Sequence, residues 1–312
     1  MIKPSLKDCD GKLYINTSGL ELVITKKDNK ILSLLFDNKR LIDMEADISN
    51  ALPLDTVCVG KIAEISKNIN AAFVLLPDKS KGYLKNIKEE YKCEMNLPVR
   101  ITRLASKGKL CSVTVEDRDI SHAKDLTVLE YGLKGYIKIL NNYDVDRIIT
   151  DCDQIYDEII NENLSKDIEV KLYFDKSISL WALFSISKYL KEATEKTVWL
   201  KSGANICIET TSAFTVIDVN SGKYISKNNC YLDVNIEASN EIFRQMTLRN
   251  ISGIILVDFI NLQTEEERNS LINHLKNMSS VQKIHTRFVD ITPLGIAEFT
   301  RKKIGLTLYD LF

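Results

Sequence analysis

From Leu13 to Asp43 apolar and polar residues alternate, with turn-forming residues at Thr17–Gly19, Lys27–Lys30 and Asp37–Lys39. That pattern predicts a β meander. Between Thr56 and Val115 come short apolar runs: VCVGKIAEI, NAAFVLLP, KGYLK, LPVRITRLA and KLCSVTVE. Five strands at this spacing fit a small OB barrel. A polar link, Glu116–Asp125, leads into Leu126–Ile139 and Val145–Ile160, which read as a helix, a strand near Arg147–Thr150 and another helix. Lys171–Ala213 continues this half and turns at Lys201–Gly203. Past Phe259, TEEERNSLINHLKNM is a charged amphipathic helix, VQKIHTRFVDI a strand, and PLGIAEFTRKKIG a closing segment.

The most informative stretch is Phe214–Phe259. Two apolar runs, FTVIDV and IILVDF, each carry one aspartate near the end, Asp218 and Asp258. Such runs suit strands buried on both faces of a parallel sheet. The residues between them read as a helix, with Asn235 as its N-cap, Glu237 and Glu241 early and Arg244 and Arg249 late, the order the helix dipole favours. Strand, helix, strand argues for a crossover between parallel strands. If the strands are neighbours, about 4.8 Å apart, both aspartates share one carboxyl-end rim. Two carboxylates that close repel unless a cation such as magnesium lies between them. The other reading is that each aspartate merely ends its strand at solvent.

Composition adds bounds. At 312 residues, 45% hydrophobic and 27% charged, the chain can bury more than one core. Its net charge of −1 gives no global basic field, so any polyanion site must come from local clustering. The opening MIKPSLKDCDGK lacks the apolar core of a secretory signal, and no run is long enough to span a membrane. Seven cysteines without a C-x-x-C spacing fit reduced thiols and a cytoplasmic location. Of three histidines none sits in a nucleophile-like setting, and His274 reads as a surface residue. No G-x-x-x-x-G-K-[ST] or G-x-G-x-x-G occurs, which argues against a nucleotide-dependent enzyme.

VIDVNSGK (Val216–Lys223), NIEASNEIFRQMTLRNISGIILVDFI (Asn235–Ile260) and TPLGIAEFTRKK (Thr292–Lys303) resemble, in order, the catalytic core of the ribonuclease E/G family. The resemblance implies that Asp218 and Asp258 hold a catalytic magnesium and that Asn220 belongs to the same site. Where the family commonly has a further acid, three residues after the second aspartate, this chain has Asn261. The V-x-G-K-I opening, A-A-F-V and K-G-Y-L of the barrel region resemble the RNA-binding module of ribosomal protein S-one. In this family that module clamps single-stranded RNA. Phe73 and Tyr83 match the positions where aromatics meet RNA, and Lys107 matches a lysine that contacts it. Phe73 read without the resemblance is as well a barrel-core residue. Lys79, Lys81 and Lys85 surround Tyr83, and Lys61, Arg100, Arg103 and Lys109 add charge. Arg301, Lys302 and Lys303 read either as phosphate contacts or as a solvated basic end.

The fold implied is a multidomain α+β and α/β chain. A ribonuclease-H-like scaffold (1–54 and 126–200) holds an inserted OB-fold RNA-binding module (55–117). Residues 118–125 form a short link, and 201–312 form a deoxyribonuclease-I-like catalytic subdomain. The function implied is magnesium-dependent endonucleolytic cleavage of single-stranded RNA, leaving 5′-phosphate and 3′-hydroxyl ends, in RNA processing or decay. The alternative is a non-catalytic single-stranded RNA-binding protein that keeps the scaffold. Homodimerisation is compatible with either reading. A shortened member is expected, without the family's zinc link or a zinc-linked tetramer. The 5′-monophosphate pocket of the family, which carries an R-T-A-G-type motif, is expected to be missing, since about ten residues cannot build a pocket with its own core.

Overall fold

The computed structural model describes residues 19–105, 108–162, 164, 168–211, 213–223, 231–303 and 305–311. The chain divides into two compact units at Leu180/Trp181, some twenty residues before the expected 200/201 boundary. The difference has a local cause: residues 197–199 pair as an edge strand with residues 205–207 of the second sheet.

In the first unit, β1 (Leu20–Lys27), β2 (Lys30–Asp37) and β3 (Arg40–Ile48) form the meander expected from Leu13 onward, of which residues 13–18 lie outside the described residues. Asn38 and Lys39 both take positive φ (44° and 70°), the two-residue turn whose twist matches a hairpin. Next come β4 (Val57–Ser66), β5 (Ala71–Leu75), β6 (Lys81–Lys85), β7 (Asn96–Arg103) and β8 (Cys111–Val115). They follow the five predicted runs closely. Their order is β5-β6-β8-β7-β4, and a β4–β5 pairing closes the barrel, an OB-like arrangement with β6 and β8 parallel. Gly60 is where two walls meet: a Cβ there would stand 2.5 Å from Val74 Cγ1 and 3.0 Å from Val99 Cγ2.

Strand β9 (Val128–Glu130) pairs with β4, so the chain after the link stays on the barrel before it returns to the meander. Helix α1 (Gly135–Asn142), β10 (Arg147–Thr150), α2 (Asp153–Asn161) and β11 (Glu169–Leu172) then extend the first sheet. Its order is β11-β10-β1-β2-β3, three antiparallel strands joined through β1 to two parallel ones. Ile139, Ile155 and Ile159 of the helices close over Leu22, Ile24 and Leu35.

A short helix, α3 (Leu180–Leu183), precedes α4 (Ile186–Thr194). The second unit then builds one six-stranded sheet from β12 (Thr197–Trp199), β13 (Asn205–Thr210), β14 (Phe214–Asn220), β15 (Gly253–Asp258), β16 (Thr286–Ile291) and β17 (Ile296–Arg301), with α5 (Tyr231–Leu248) between β14 and β15 and α6 (Glu265–Ser280) between β15 and β16. A final turn of helix, α7 (Leu308–Leu311), follows. The order is β12-β13-β14-β15-β17-β16, and β14 and β15 are parallel neighbours joined by α5, as the two apolar runs imply. Contrary to the expectation of burial on both faces, these two strands are buried on one face only, with Phe214 and Ile254 exposed on the other, and their outer neighbours run antiparallel. One sheet face packs Ile217, Val219, Ile255, Val257 and Phe299 against Val234, Ile242, Phe243 and Met246 of α5. Thr264 and Glu267 start α6 with a reciprocal capping box.

Candidate metal and RNA sites

Side chains alternate along a strand, and cross-strand partners share a face. In β14 and β15, Thr215, Ile217, Val219, Ile255 and Val257 face the core, so Asp218, Asn220 and Asp258 face away from it. Asp218 and Asp258 are register partners across the parallel β14–β15 pair. Both are exposed. Asn220 donates through Nδ2 to Asp218 Oδ2 at 2.8 Å, which fixes that carboxylate's orientation. The result is two carboxylates side by side at the carboxyl ends of adjacent parallel strands, where a crossover sheet collects functional side chains. Among the described residues no three His, Cys, Asp or Glu side chains cluster as metal ligands. Two oxygen-donor side chains are nevertheless enough for magnesium, which keeps several waters and takes the rest of its shell from substrate phosphate. Asn261, where the family has a further acid, is also exposed and contributes no charge.

Asn235, expected as the N-cap, instead sits one turn inside α5, which starts at Tyr231. It is 0% exposed. Its Nδ2 donates to Ile260 O at 2.7 Å, and its Oδ1 accepts from Ile260 N at 3.1 Å. The amide therefore clamps the backbone two residues past Asp258 and ends the strand there. A buried asparagine in a helix is the sequence signal for such a clamp, but its target lies 25 residues away. Glu237, expected to serve the helix dipole, accepts from the amides of Lys201 and Ser202 at 2.9 and 3.3 Å and pins the β12–β13 turn.

Farther along α5 a buried polar ladder holds the helix end. Arg244 and Gln245 donate to Glu241, and Arg249 Nε donates to Gln245 Oε1 at 2.7 Å. Arg249, also 0% exposed, donates further to Tyr309 Oη and Glu195 O. Burial pulls the Arg249 pKa down from the usual arginine value, while Tyr309 and Glu241 oppose the shift. Arg301, expected among the phosphate contacts, is 3% exposed and donates to Ile251 O at 2.6 Å. Its charge is used inside the fold. Lys302 and Lys303 beside it remain exposed. His274 is half-buried on α6, its Nε2 3.1 Å from Asn240 Oδ1, and burial lowers its pKa.

On the barrel, Ala72, Val74, Leu76 and Leu84 fill the interior. Phe73 and Tyr83 alternate with them and point outward, which decides against Phe73 as a core residue. They are register partners on β5 and β6, with ring centroids 6.0 Å apart at 53°. Lys81 and Lys85, two residues either side of Tyr83, share its face and are exposed. Lys61 is engaged elsewhere: its ammonium lies 2.8 Å from Asp125 and 3.5 Å from Glu94. The Asp125 hydrogen bond and charge push the Lys61 pKa up. Arg100 is held by Glu116 at 2.7 Å. Lys107 lies outside the described residues.

A sequence profile of the Ribonuclease E/G family matches residues 105–304. Among curated proteins, ribonuclease E of Synechocystis is 34% identical over 189 residues, covering 58% of this chain and 28% of that protein. Ribonuclease G of Escherichia coli K12 is 31% identical over 166 residues, covering 51% of this chain and 34% of that protein. The matches thus span about a third or less of these relatives. A solved multidomain protein with nucleic acid binding domains from Streptococcus pneumoniae aligns over 37% of this chain at 11% identity, with a TM-score of 0.18, too low to bear on the fold.

Proposed function

The chain belongs to the ribonuclease E/G family, and from that premise we propose that it is a magnesium-dependent endoribonuclease acting on single-stranded RNA in the cytoplasm. One observation carries the reading: the register pair Asp218 and Asp258, held on one sheet face inside the segment the family profile matches. Asp218 and Asp258 would hold the magnesium, which when bound offsets phosphate charge and lowers the pKa of a water. Asn220 keeps Asp218 oriented and stands ready to align a phosphate oxygen or the attacking water. Asn235 holds the chain just past β15, so the Asp258 carboxylate would be offered to the metal from a fixed position. Attack in line with the 3′ oxygen leaves a 3′-hydroxyl on one product and a 5′-phosphate on the other.

Phe73 and Tyr83 would take bases on the barrel, with Lys81 and Lys85 against phosphates. The first sheet serves as scaffold, and its three antiparallel and two parallel strands support a ribonuclease-H-like reading. The link before β9 favours entry along the RNA rather than from its 5′ end. Its single arginine, Arg118, is already paired with Glu130 at 2.8 Å.

The test is incubation of purified protein with an internally labelled, unstructured RNA, in magnesium and in EDTA. Cleavage confined to magnesium, with 5′-phosphate on the new ends, is expected. Binding without cleavage would select the non-catalytic alternative. Matched RNAs bearing 5′-monophosphate, 5′-triphosphate and 5′-hydroxyl should be cut at similar rates, and a strong monophosphate preference would overturn direct entry.

A further inference from the structure

The carboxylate-bearing face of the second sheet ends, at edge strand β12, in an open aromatic surface. Trp199 is 62% exposed. It is the register partner of Asn205 on β13, which in turn partners Asn220 on β14. Partners share a face, so the indole lies on the side of the sheet that carries Asp218, Asn220 and Asp258. Two strand spacings, about 10 Å, separate it from Asn220. The neighbouring Val198 takes the opposite side and packs on the core.

The rim that carries Trp199 is tied to the rim that carries Asn220. Glu237 holds the amides of Lys201 and Ser202, and Gly203 O accepts from Lys223 N at 3.0 Å. Gly203 and Gly222 take positive φ (89° and 54°), and a Cβ on Gly222 would stand 2.7 Å from Gly203 O. The turn after Trp199 and the turn after Asn220 are therefore pressed together, and only glycine permits that approach. Lys201 and Lys223, one on each turn, are exposed.

We infer that Trp199 is a base-stacking platform beside the candidate cleavage site, with Lys201 and Lys223 meeting the phosphates on either side of the stacked nucleotide. The chemistry selects the ligand. A flat π surface beside two lysine-bearing turns, on the same sheet face as two carboxylates, suits an unpaired base, whose face is free, and does not suit a duplex, whose bases are stacked on each other. What lies at the carboxylates rests on the endoribonuclease reading. Stacking itself requires no cleavage.

The chain has two tryptophans, Trp181 and Trp199. Trp181→Phe leaves Trp199 as the sole tryptophan, read by excitation at the red edge where tyrosine does not absorb. Titration in EDTA with an unstructured oligoribonucleotide should quench its emission to saturation, and an abasic oligomer of equal length should not. In magnesium, Trp199→Ala should raise KM about 5- to 150-fold, the range of losing one stacked base, with unchanged melting, and Trp199→Phe should recover most of that loss. Equal quenching by the abasic oligomer, or wild-type KM in active Trp199→Ala, would overturn the inference. So would a concentration-dependent blue shift without RNA, which would mean that a second copy covers the indole. Wild-type protein that fails to cut RNA at all would sink the endoribonuclease reading, and the quenching experiment would still decide the platform.

Discussion

Two cross-strand pairs, one in each unit, are built alike and behave as opposites. Phe73 and Tyr83 face each other across an antiparallel ladder on the barrel, and Asp218 and Asp258 across a parallel one in the second sheet. Both pairs point away from their cores. The aromatic pair stabilises itself by about 0.5–1.5 kcal/mol beyond its buried area, with no ligand present. The acidic pair sets like charges opposite each other, which is unfavourable unless a cation lies between them. Folding alone therefore accounts for the first pair and not for the second, so the carboxylates are the better witness to chemistry.

Breaking the acidic pair should have the largest effect. Asp218→Asn or Asp258→Asn should lower cleavage at least ~100-fold, because one of two charges that would bind the metal is gone. The same variants should melt no lower than wild type in EDTA, since the repulsion is relieved, and magnesium should raise the melting temperature of wild type alone. Full activity of either variant would refute the site.

Next in size is the clamp behind that pair. Asn235→Ala leaves the half-buried Ile260 amide and carbonyl without their partner and empties a buried site, at a cost of about 1–3 kcal/mol in urea unfolding. Cleavage should fall with it, while RNA binding by the barrel should not change. An Asn235→Ala variant with wild-type stability would show that the clamp holds nothing.

Truncating the aromatic pair should cost affinity and little stability. Phe73→Ala and Tyr83→Ala should each weaken single-stranded RNA binding by about 1–3 kcal/mol per base lost, measured by filter binding. A large drop in melting temperature would instead return Phe73 to a packing role and erase the contrast.

The smallest effect separates the closed barrel interior from its surface. Burial pushes the Cys58 thiol up to about 12 and the Cys111 thiol up to about 11, from an ordinary value of 9.0. Iodoacetamide at neutral pH should therefore label exposed Cys93 and spare both. Because the folded thiols hold their protons longer than the unfolded ones, their contribution to stability is full below about pH 9 and is lost as pH rises toward the folded values. Cys58→Val should flatten that alkaline decline in pH-dependent melting. Early labelling of Cys58 or Cys111 would mean that the barrel opens.

Much of this architecture is written in local pattern. The alternation of β1–β3, the five barrel runs and the FTVIDV and IILVDF strands around α5 are legible because strand and helix periodicity depends on near neighbours in sequence. The pairing of Asp218 with Asp258 was reachable as well, since two apolar strands joined by one helix have few ways to pack. Other features depend on partners far along the chain. Asn235 looked like a cap because its target, Ile260, follows 25 residues later. Arg301 looked like a phosphate contact in a basic triplet, but folding brings it to Ile251 O, 50 residues earlier. Lys61 looked free until Asp125 arrived beside it. The outward turn of Phe73, and the placing of Trp199 on the carboxylate face, were settled by strand register. Sequence by itself determined which segments are strands and helices and which acids end them, because those preferences are short-range. Only tertiary structure decided which polar side chains are spent inside the fold and which are left for a ligand, because a buried charge or amide is satisfied by whatever group the fold happens to bring to it.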